Sequence, residues 1–319
     1  NVNVSIPLGK FVAITGVSGA GKSTLLFQII ARAAQNRFNN SHTVPGKHQD
    51  IIGWEHIDAV ICIDQTPMGR ISRSNVMTYT DIFKAIREIY AKLPEARLHG
   101  YEADYFSFNL PQGRCKRCQG EGTITVNMSY QDPVEIRCPV CKGKRYKKEI
   151  LNIKYKGKSI SDIFDLTIDE ALQLFQDKTA ICSKLQSLSN IGVGYLRLGQ
   201  SSLQLSGGEV QRIKLSKELE KRKKGHVLYL LDEPTKGLHP YDVEKLLIIL
   251  NELVDRGNTV VAVEHNIDLI QAADYLIDMG PGGGSDGGRI IACGTLDDIM
   301  QCNQSVTGKY FKKRVENEK

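Results

Sequence analysis

Lys10–Ala34, "KFVAITGVSGAGKSTLLFQIIARAA", reads as a strand, a glycine loop and a helix. The stretch up to Thr15 is apolar and β-branched, whereas Ser23 to Ala34 carries apolar residues at helical spacing. Between them, Gly16-Val17-Ser18-Gly19-Ala20-Gly21-Lys22-Ser23 fits the pattern G-x-x-x-x-G-K-S. Glycines let backbone N–H groups turn inward around phosphate oxygens, and the start of the helix adds partial positive charge. Lys22 is placed to reach the β- and γ-phosphates of ATP, and the Ser23 hydroxyl to hold Mg²⁺. The expected phosphate-binding set is Gly16, Ser18, Gly19, Gly21, Lys22, Ser23 and Thr24.

Further along the chain, "HVLYLLDEP" (226–234) is an apolar strand ending in Asp232-Glu233. A carboxylate at a buried strand end can hold the metal, which suits Asp232. Glu233 is then placed to orient or deprotonate an attacking water. Two acids capping a following helix is the other reading, and it fits poorly because Pro234 and "TKGLHP" come next. "NTVVAVEH" (258–265) brings His265 to a strand end, and "AVICIDQTP" (59–67) brings Gln65, which could approach the metal or the water. Polar groups from several strands then share one sheet edge, where ligands bind in open α/β sheets. "SLQLSGGEVQRIKLSKEL" (202–219) sets Ser206, Gly207 and Gly208 at a helix start, a second amide-lined anion site.

These pieces resemble the phosphate loop, glutamine loop, signature, Asp-Glu strand and switch histidine of ABC-type ATPases, in that family's order. The resemblance implies an α/β fold with an ABC-type P-loop ATPase core. It further implies that Ser206, Gly207 and Gly208 act in trans, on a nucleotide bound to a second ATPase half. Catalytic roles fall to Glu233, His265 and Gln65, and Mg²⁺ to Ser23, Asp232 and Gln65.

"GRCKRCQGEG" (113–122) and "CPVCKGKRY" (138–146) hold two Cys-x-x-Cys pairs, Cys115/Cys118 and Cys138/Cys141. Two such knuckles complete a tetrahedral four-sulfur site with no open position, a structural one. Zinc is the preferred ion, one per chain, with iron as the alternative. Disulfides are disfavoured because the start of the chain does not read as an export signal. From Arg114 to Lys158 there are twelve basic residues against four acidic ones, a net +8, so the rest of the chain sums to −2 within the total of +6. A solvated basic face accounts for an isolated lysine run; beside a rigid metal knuckle the field favours a polyanion.

The cysteine module (112–146) falls inside an insert and signature domain placed at 81–199, between core segments 1–80 and 200–319. With "DQTPMGRISRSNVMTYTDIF" (64–83), "YLRLGQSSLQLSGGEVQRIKL" (195–215), "LDEPTKGLH" (231–239) and "VEHNIDLIQAADYLIDMGPGGG" (263–284), it is similar to the UvrA family of bacterial nucleotide-excision repair. The match lies with that family's C-terminal ATPase half. The family implies ATP-controlled DNA binding and damage recognition, with lesion-bearing duplex, the N-terminal ATPase half, a second UvrA-like protomer and UvrB as partners of the full protein. The segment that binds UvrB belongs to the other half. A cytoplasmic location follows from the same resemblance. Arg70, Arg73, Lys116, Arg117, Lys142, Lys144 and Arg145 are candidate phosphate-backbone contacts. A UvrA-like antibiotic self-resistance ATPase would share these motifs, and a transporter or ribosome-associated ABC subunit would share all but the cysteines.

Three smaller expectations complete the reading. No run of eighteen apolar residues is present, so no segment is long enough for a membrane helix. The chain begins at Asn1, close to its first strand, which reads as a piece of a longer polypeptide. Gly282, Gly284 and Gly287 formally match G-x-G-x-x-G, but "GRIIACGT" (288–295) reads as a strand where a dinucleotide fold needs a helix, so a glycine-rich turn is expected.

Overall fold

The computed structural model describes residues 2–68, 73–128, 131–221 and 225–317. The chain divides into two compact units, Asn1–Thr66 with Lys221–Lys319, and Pro67–Glu220.

The first unit is built on a six-stranded sheet. From edge to edge its strands are Arg289–Gly294, Tyr275–Gly280, Phe11–Gly16, Thr259–Val263, Val227–Asp232 and Ala59–Ile63. All neighbours are parallel except the Arg289 strand, which runs antiparallel to the Tyr275 strand. The central strands are buried on both faces, which is why they read as continuous apolar runs and not as alternation. Register sets the working edge: Ile14 pairs with Val263, and Val263 with Asp232. Gly16 therefore emerges two residues past the level of Asp232, and the loops carrying Gly16–Ser23, Glu233 and Glu264–Asn266 leave the same carboxyl end.

The helix after the glycine loop begins as a π-helix, Thr24–Ala31, and continues as an α-helix, Arg32–Phe38. Its Leu25, Leu26, Ile30 and Ala31 bury against Val12, Ile14, Leu228 and Val261 of the sheet. The helix Pro240–Asp255 starts with proline at its first position behind a His239 N-cap and buries Val243, Leu246, Leu250 and Leu253. The strands end slightly earlier than the sequence patterns suggest: the Thr259 strand stops at Val263 and the Ala59 strand at Ile63. His265 and Gln65 thus sit two residues into the following loops. The turn at Gly282–Gly288 contains one 3-10 turn and no dinucleotide-type helix, and the Arg289 strand follows it, as the glycine-turn reading requires.

The second unit is mainly helical with two short two-stranded sheets. The larger is a hairpin, Thr123–Met128 with Gln131–Arg137, whose ends lead into the two cysteine knuckles. An aromatic core of Phe83, Phe106, Phe108, Tyr146 and Phe164 lies within this unit. The helix Gly207–Glu220 carries the signature sequence at its start.

Candidate nucleotide site and cysteine cluster

Lys22 is buried, and its Nζ donates to the carbonyls of Gly16 (2.9 Å) and Val17 (2.7 Å). The loop is thus wrapped around its own lysine. Burial pulls the lysine pKa below its ordinary value, against the opposing pull of Glu233 and Asp278. Gly16 has φ +130°, and a Cβ there would lie 2.0 Å from the Met279 carbonyl, so only glycine lets the loop leave the sheet at this point. Ser18, Gly19, Ser23 and Thr24 are exposed, and Gly21 is half-buried.

The expected catalytic residues converge beside that loop. Gln65 Nε2 reaches the Asp232 backbone carbonyl at 3.5 Å. Burial first, and then the charge of Glu233, push the Asp232 carboxyl above the ordinary aspartate range. Glu233 adopts a left-handed φ of +46°, uncommon for a residue with a side chain, and its N–H donates to the Val263 carbonyl at 3.0 Å. Its carboxylate lies between Lys236 Nζ (3.0 Å to Oε2) and His265 Nε2 (3.7 Å to Oε1). Lys22, Asp232, Glu233, His265 and Gln65 therefore belong to one constellation within the first unit.

Sequence reasoning missed two members of this network. Lys236 stands three residues after Glu233 in the turn that follows the strand, and nothing in "DEPTKG" singles it out. Glu264 was overshadowed by His265 beside it. It is buried, and its carboxylate accepts from the Thr235 N–H and hydroxyl and from the N–H groups of His265 and Asn266. That side chain ties the loop carrying Glu233 to the loop carrying His265. Asp278, also buried, accepts from the hydroxyls of Thr15, Ser305 and Thr307.

In the second unit Ser206 closes a capping box at the start of the signature helix. The Glu209 N–H donates to Ser206 Oγ (3.3 Å), and the Ser206 N–H to Glu209 Oε2 (2.7 Å). Burial works to raise the Glu209 pKa, but hydrogen bonds from Tyr195 and Ser206 outweigh it and hold the carboxyl low. Gly208 is buried within the first turn.

The four cysteines form one buried cluster with all Sγ atoms within 4.8 Å of one another. Cys115 and Cys138 Sγ lie 3.9 Å apart, and Cys118 and Cys141 Sγ 3.6 Å apart. A tetrahedral zinc site with Zn–S bonds of about 2.3 Å has edges of about 3.8 Å, so the donor set fits that ion. None of the four is joined in a disulfide in this structure. Each knuckle repeats the same turn: Gln119 and Gly120 have φ of 54° and 88°, Lys142 and Gly143 of 52° and 88°. The knuckles are stitched together by Cys115 N–H to the Arg145 carbonyl (2.8 Å) and Cys138 N–H to the Gly122 carbonyl (2.9 Å). Burial raises the Cys141 pKa to about 12. For Cys138 burial acts the same way but is outweighed by the N–H groups of Cys141 and Val140, leaving it at about 7.

The candidate phosphate-backbone contacts separate into groups. Lys116, Arg117, Lys142 and Lys144 are exposed around the knuckles. Arg73 is held by Glu121, Nε to Oε1 at 2.6 Å, and by the Gln119 carbonyl. The Arg145 guanidinium lies over the rings of Phe164 (5.1 Å) and Phe108 (5.5 Å), and burial lowers its pKa. Arg70 lies outside the described residues. Among the described residues no helix is long and apolar enough to cross a membrane.

No family model matches the chain. Curated proteins do. UvrABC system protein A of Aquifex aeolicus is 53% identical over 318 residues, covering 100% of this chain and 34% of that protein. The Bacillus subtilis protein of the same name is 49% identical over 318 residues, with coverage of 100% and 33%. The crystal structure of UvrA2 from Deinococcus radiodurans superposes with a TM-score of 0.88 at 46% identity, covering 98% of this chain and 38% of that one. The chain spans about a third of the length of the curated relatives it matches.

Proposed function

The chain is a partial region of the UvrA family, and from that premise we propose that it is the C-terminal ATP-binding half of a DNA damage-recognition ATPase of nucleotide-excision repair. The observation that carries this reading is the convergence of Lys22, Asp232, Glu233, His265 and Gln65 on one sheet edge, in a chain whose other unit holds a buried four-cysteine cluster.

In this reading Lys22 exchanges the Gly16 and Val17 carbonyls for phosphate oxygens, and the amides of the loop from Ser18 to Thr24 enclose the rest of the phosphate chain. Ser23, Asp232 and Gln65 hold Mg²⁺, which when bound neutralises charge on the phosphates. Glu233 takes a proton from the attacking water, with Lys236 and His265 fixing its carboxylate and His265 sensing the γ-phosphate. The left-handed φ of Glu233 and the Glu264 tie support a preorganised base. Ser206, Gly207 and Gly208 serve a nucleotide bound to another ATPase half, so the site is composite and needs that second half.

The cysteine cluster holds one structural zinc and presents a basic surface to duplex DNA. Lesions are then read through deformability, since damaged duplex bends or unwinds at lower cost. UvrB and the second protomer are partners of the full protein. The self-resistance and transporter readings have no observation in their favour.

Fluorescence anisotropy of labelled duplexes, intact and lesion-bearing, titrated at several salt concentrations with and without ATP, tests the reading. Salt-sensitive binding that strengthens with a lesion supports it. Binding blind to the lesion moves discrimination outside this chain. Competent ATP binding with no DNA binding at low salt removes the DNA reading.

A further inference from the structure

The glycine-rich turn set aside as a dinucleotide motif lies directly against the phosphate loop. Gly284 N–H donates to the Gly19 carbonyl (3.2 Å), and Gly288 N–H to the Ala20 carbonyl (2.9 Å). Packing is close enough to exclude side chains. A Cβ on Gly283 would lie 2.6 Å from the Ser18 carbonyl oxygen, and one on Gly287 2.9 Å from the turn's own Gly282 carbonyl oxygen and 3.1 Å from both Ala20 Cα and the Gly19 carbonyl oxygen.

These contacts bear on where the loop's amides point. In a trans peptide the C=O and the following N–H point in opposite directions. Fixing the Gly19 and Ala20 carbonyls outward, onto the turn, therefore directs the Ala20 and Gly21 N–H groups to the other side. The Ala20 N–H does point across the loop, to the Val17 carbonyl at 3.2 Å. A phosphate cradle needs that polarity, amides inward and carbonyls outward. A loop of this glycine content would otherwise sample many peptide orientations.

We propose that the segment Gly282–Gly288 is a positioning element for nucleotide binding, which locks the Gly19–Ala20 and Ala20–Gly21 peptide planes of the phosphate loop, carbonyls outward, before nucleotide arrives. This rests on the reading of Gly16–Thr24 as the ATP site. The turn touches no phosphate itself; it acts through Gly19 and Ala20, lowering the ordering cost of binding.

The test is Mg·ATP affinity by calorimetric titration of the whole 319-residue chain and three variants, with the melting temperature of each nucleotide-free protein. Gly283→Ala and Gly287→Ala should each raise Kd about tenfold or more, the loss expected when a binding loop must be ordered anew. Gly257→Asn, outside the turn and the phosphate loop, is the control: its φ of +83° suits asparagine and nothing lies within 4 Å of a Cβ there. It should bind as the parent does. Alanine variants with parental Kd overturn the proposal, including the case where only the melting temperature falls. A parent chain that binds no Mg·ATP overturns the nucleotide reading itself and this inference with it, and that failure is seen on the parent alone. Should the alanine variants fail to fold, amide exchange in the nucleotide-free parent decides: Gly284 and Gly288 N–H should be protected, and free exchange at both overturns the proposal.

Discussion

Thr235 and Glu264, on loops that follow adjacent strands, are joined by three contacts. The Thr235 N–H donates to Glu264 Oε1 (2.9 Å), and its hydroxyl lies 2.8 Å from Oε1 and 2.9 Å from Oε2. Because Glu264 also accepts from His265 N–H (2.8 Å), the buried carboxylate fixes the spacing between the loops that carry Glu233 and His265.

Glu264→Gln should separate binding from turnover. Glutamine keeps one acceptor but turns an NH₂ group toward N–H donors, so one loop must move. Nucleotide Kd should stay within about threefold, while phosphate release by the full-length protein falls about tenfold or more, a change of about 1.4 kcal/mol in the barrier. Glu264→Ala leaves several buried N–H groups unpaired and should cost on the order of 2–4 kcal/mol of stability. Unchanged turnover in the glutamine variant would remove the positioning role.

Glu233→Gln should bind ATP as well as the parent and hydrolyse it about a hundredfold or more slowly, the scale of general-base loss. With hydrolysis blocked, the ATP-bound state accumulates as a dimer visible by size-exclusion chromatography. Undiminished phosphate release would take the base role from Glu233 and reopen His265 or Gln65 as its holder.

Much of this site was legible from sequence because phosphate and metal chemistry demands particular residue types at fixed local spacing. Gly16 to Ser23, Asp232-Glu233 and the cysteine pairs are each read within about ten residues. Glu264 was not legible, since its partner Thr235 lies on a neighbouring strand's loop and the local pattern "VVAVEH" draws attention to the histidine. The bracing of Gly19 by Gly284 was hidden for the same reason: the two meet only because the Phe11 and Tyr275 strands are sheet neighbours. Arg73 and Arg145 read as surface charge, yet their guanidinium groups are taken up by Glu121 and by two aromatic rings. Charge counting cannot distinguish a free cation from an engaged one.

Magnesium-dependent nucleotide binding should weaken on acidification earlier than an ordinary aspartate would predict. In the proposed site Asp232 would hold Mg²⁺ as the carboxylate; burial together with Glu233 raises its pKa, so protons would compete with Mg²⁺ at higher pH. Affinity should hold above that raised pKa and fall as pH drops through it. Removing the Glu233 charge lowers the Asp232 pKa, so Glu233→Gln should shift the fall to lower pH. Titrations of Mg·ATP across acidic pH check the sign; a shift upward would contradict it.

Metal analysis of purified chain should find about one zinc, as one four-sulfur site requires. Cys141→Ser should lose the ion and loosen the two knuckles together, because their backbones are joined through Cys115 to Arg145 and Cys138 to Gly122. Chelation of the parent should reproduce that loss of order. Four oxidised cysteines and no metal in freshly prepared protein would reject the assignment.

The basic residues divide by what already holds them, and salt dependence reads that division. Lys142 and Lys144 are exposed beside the second knuckle. If each neutralises one phosphate, replacing both by alanine should reduce the slope of log K against log salt by about 1.8, at about 0.9 per contact. Arg73→Ala breaks the contact with Glu121, so its effect should fall on the stability of the cysteine module. A partly exposed pair of this kind contributes about 1 kcal/mol or less. The salt slope of Arg73→Ala should therefore match the parent. Equal slope changes for Arg73→Ala and the lysine pair would mean that Arg73 leaves Glu121 for the DNA backbone. No change for the lysine pair would move the DNA path away from the second knuckle.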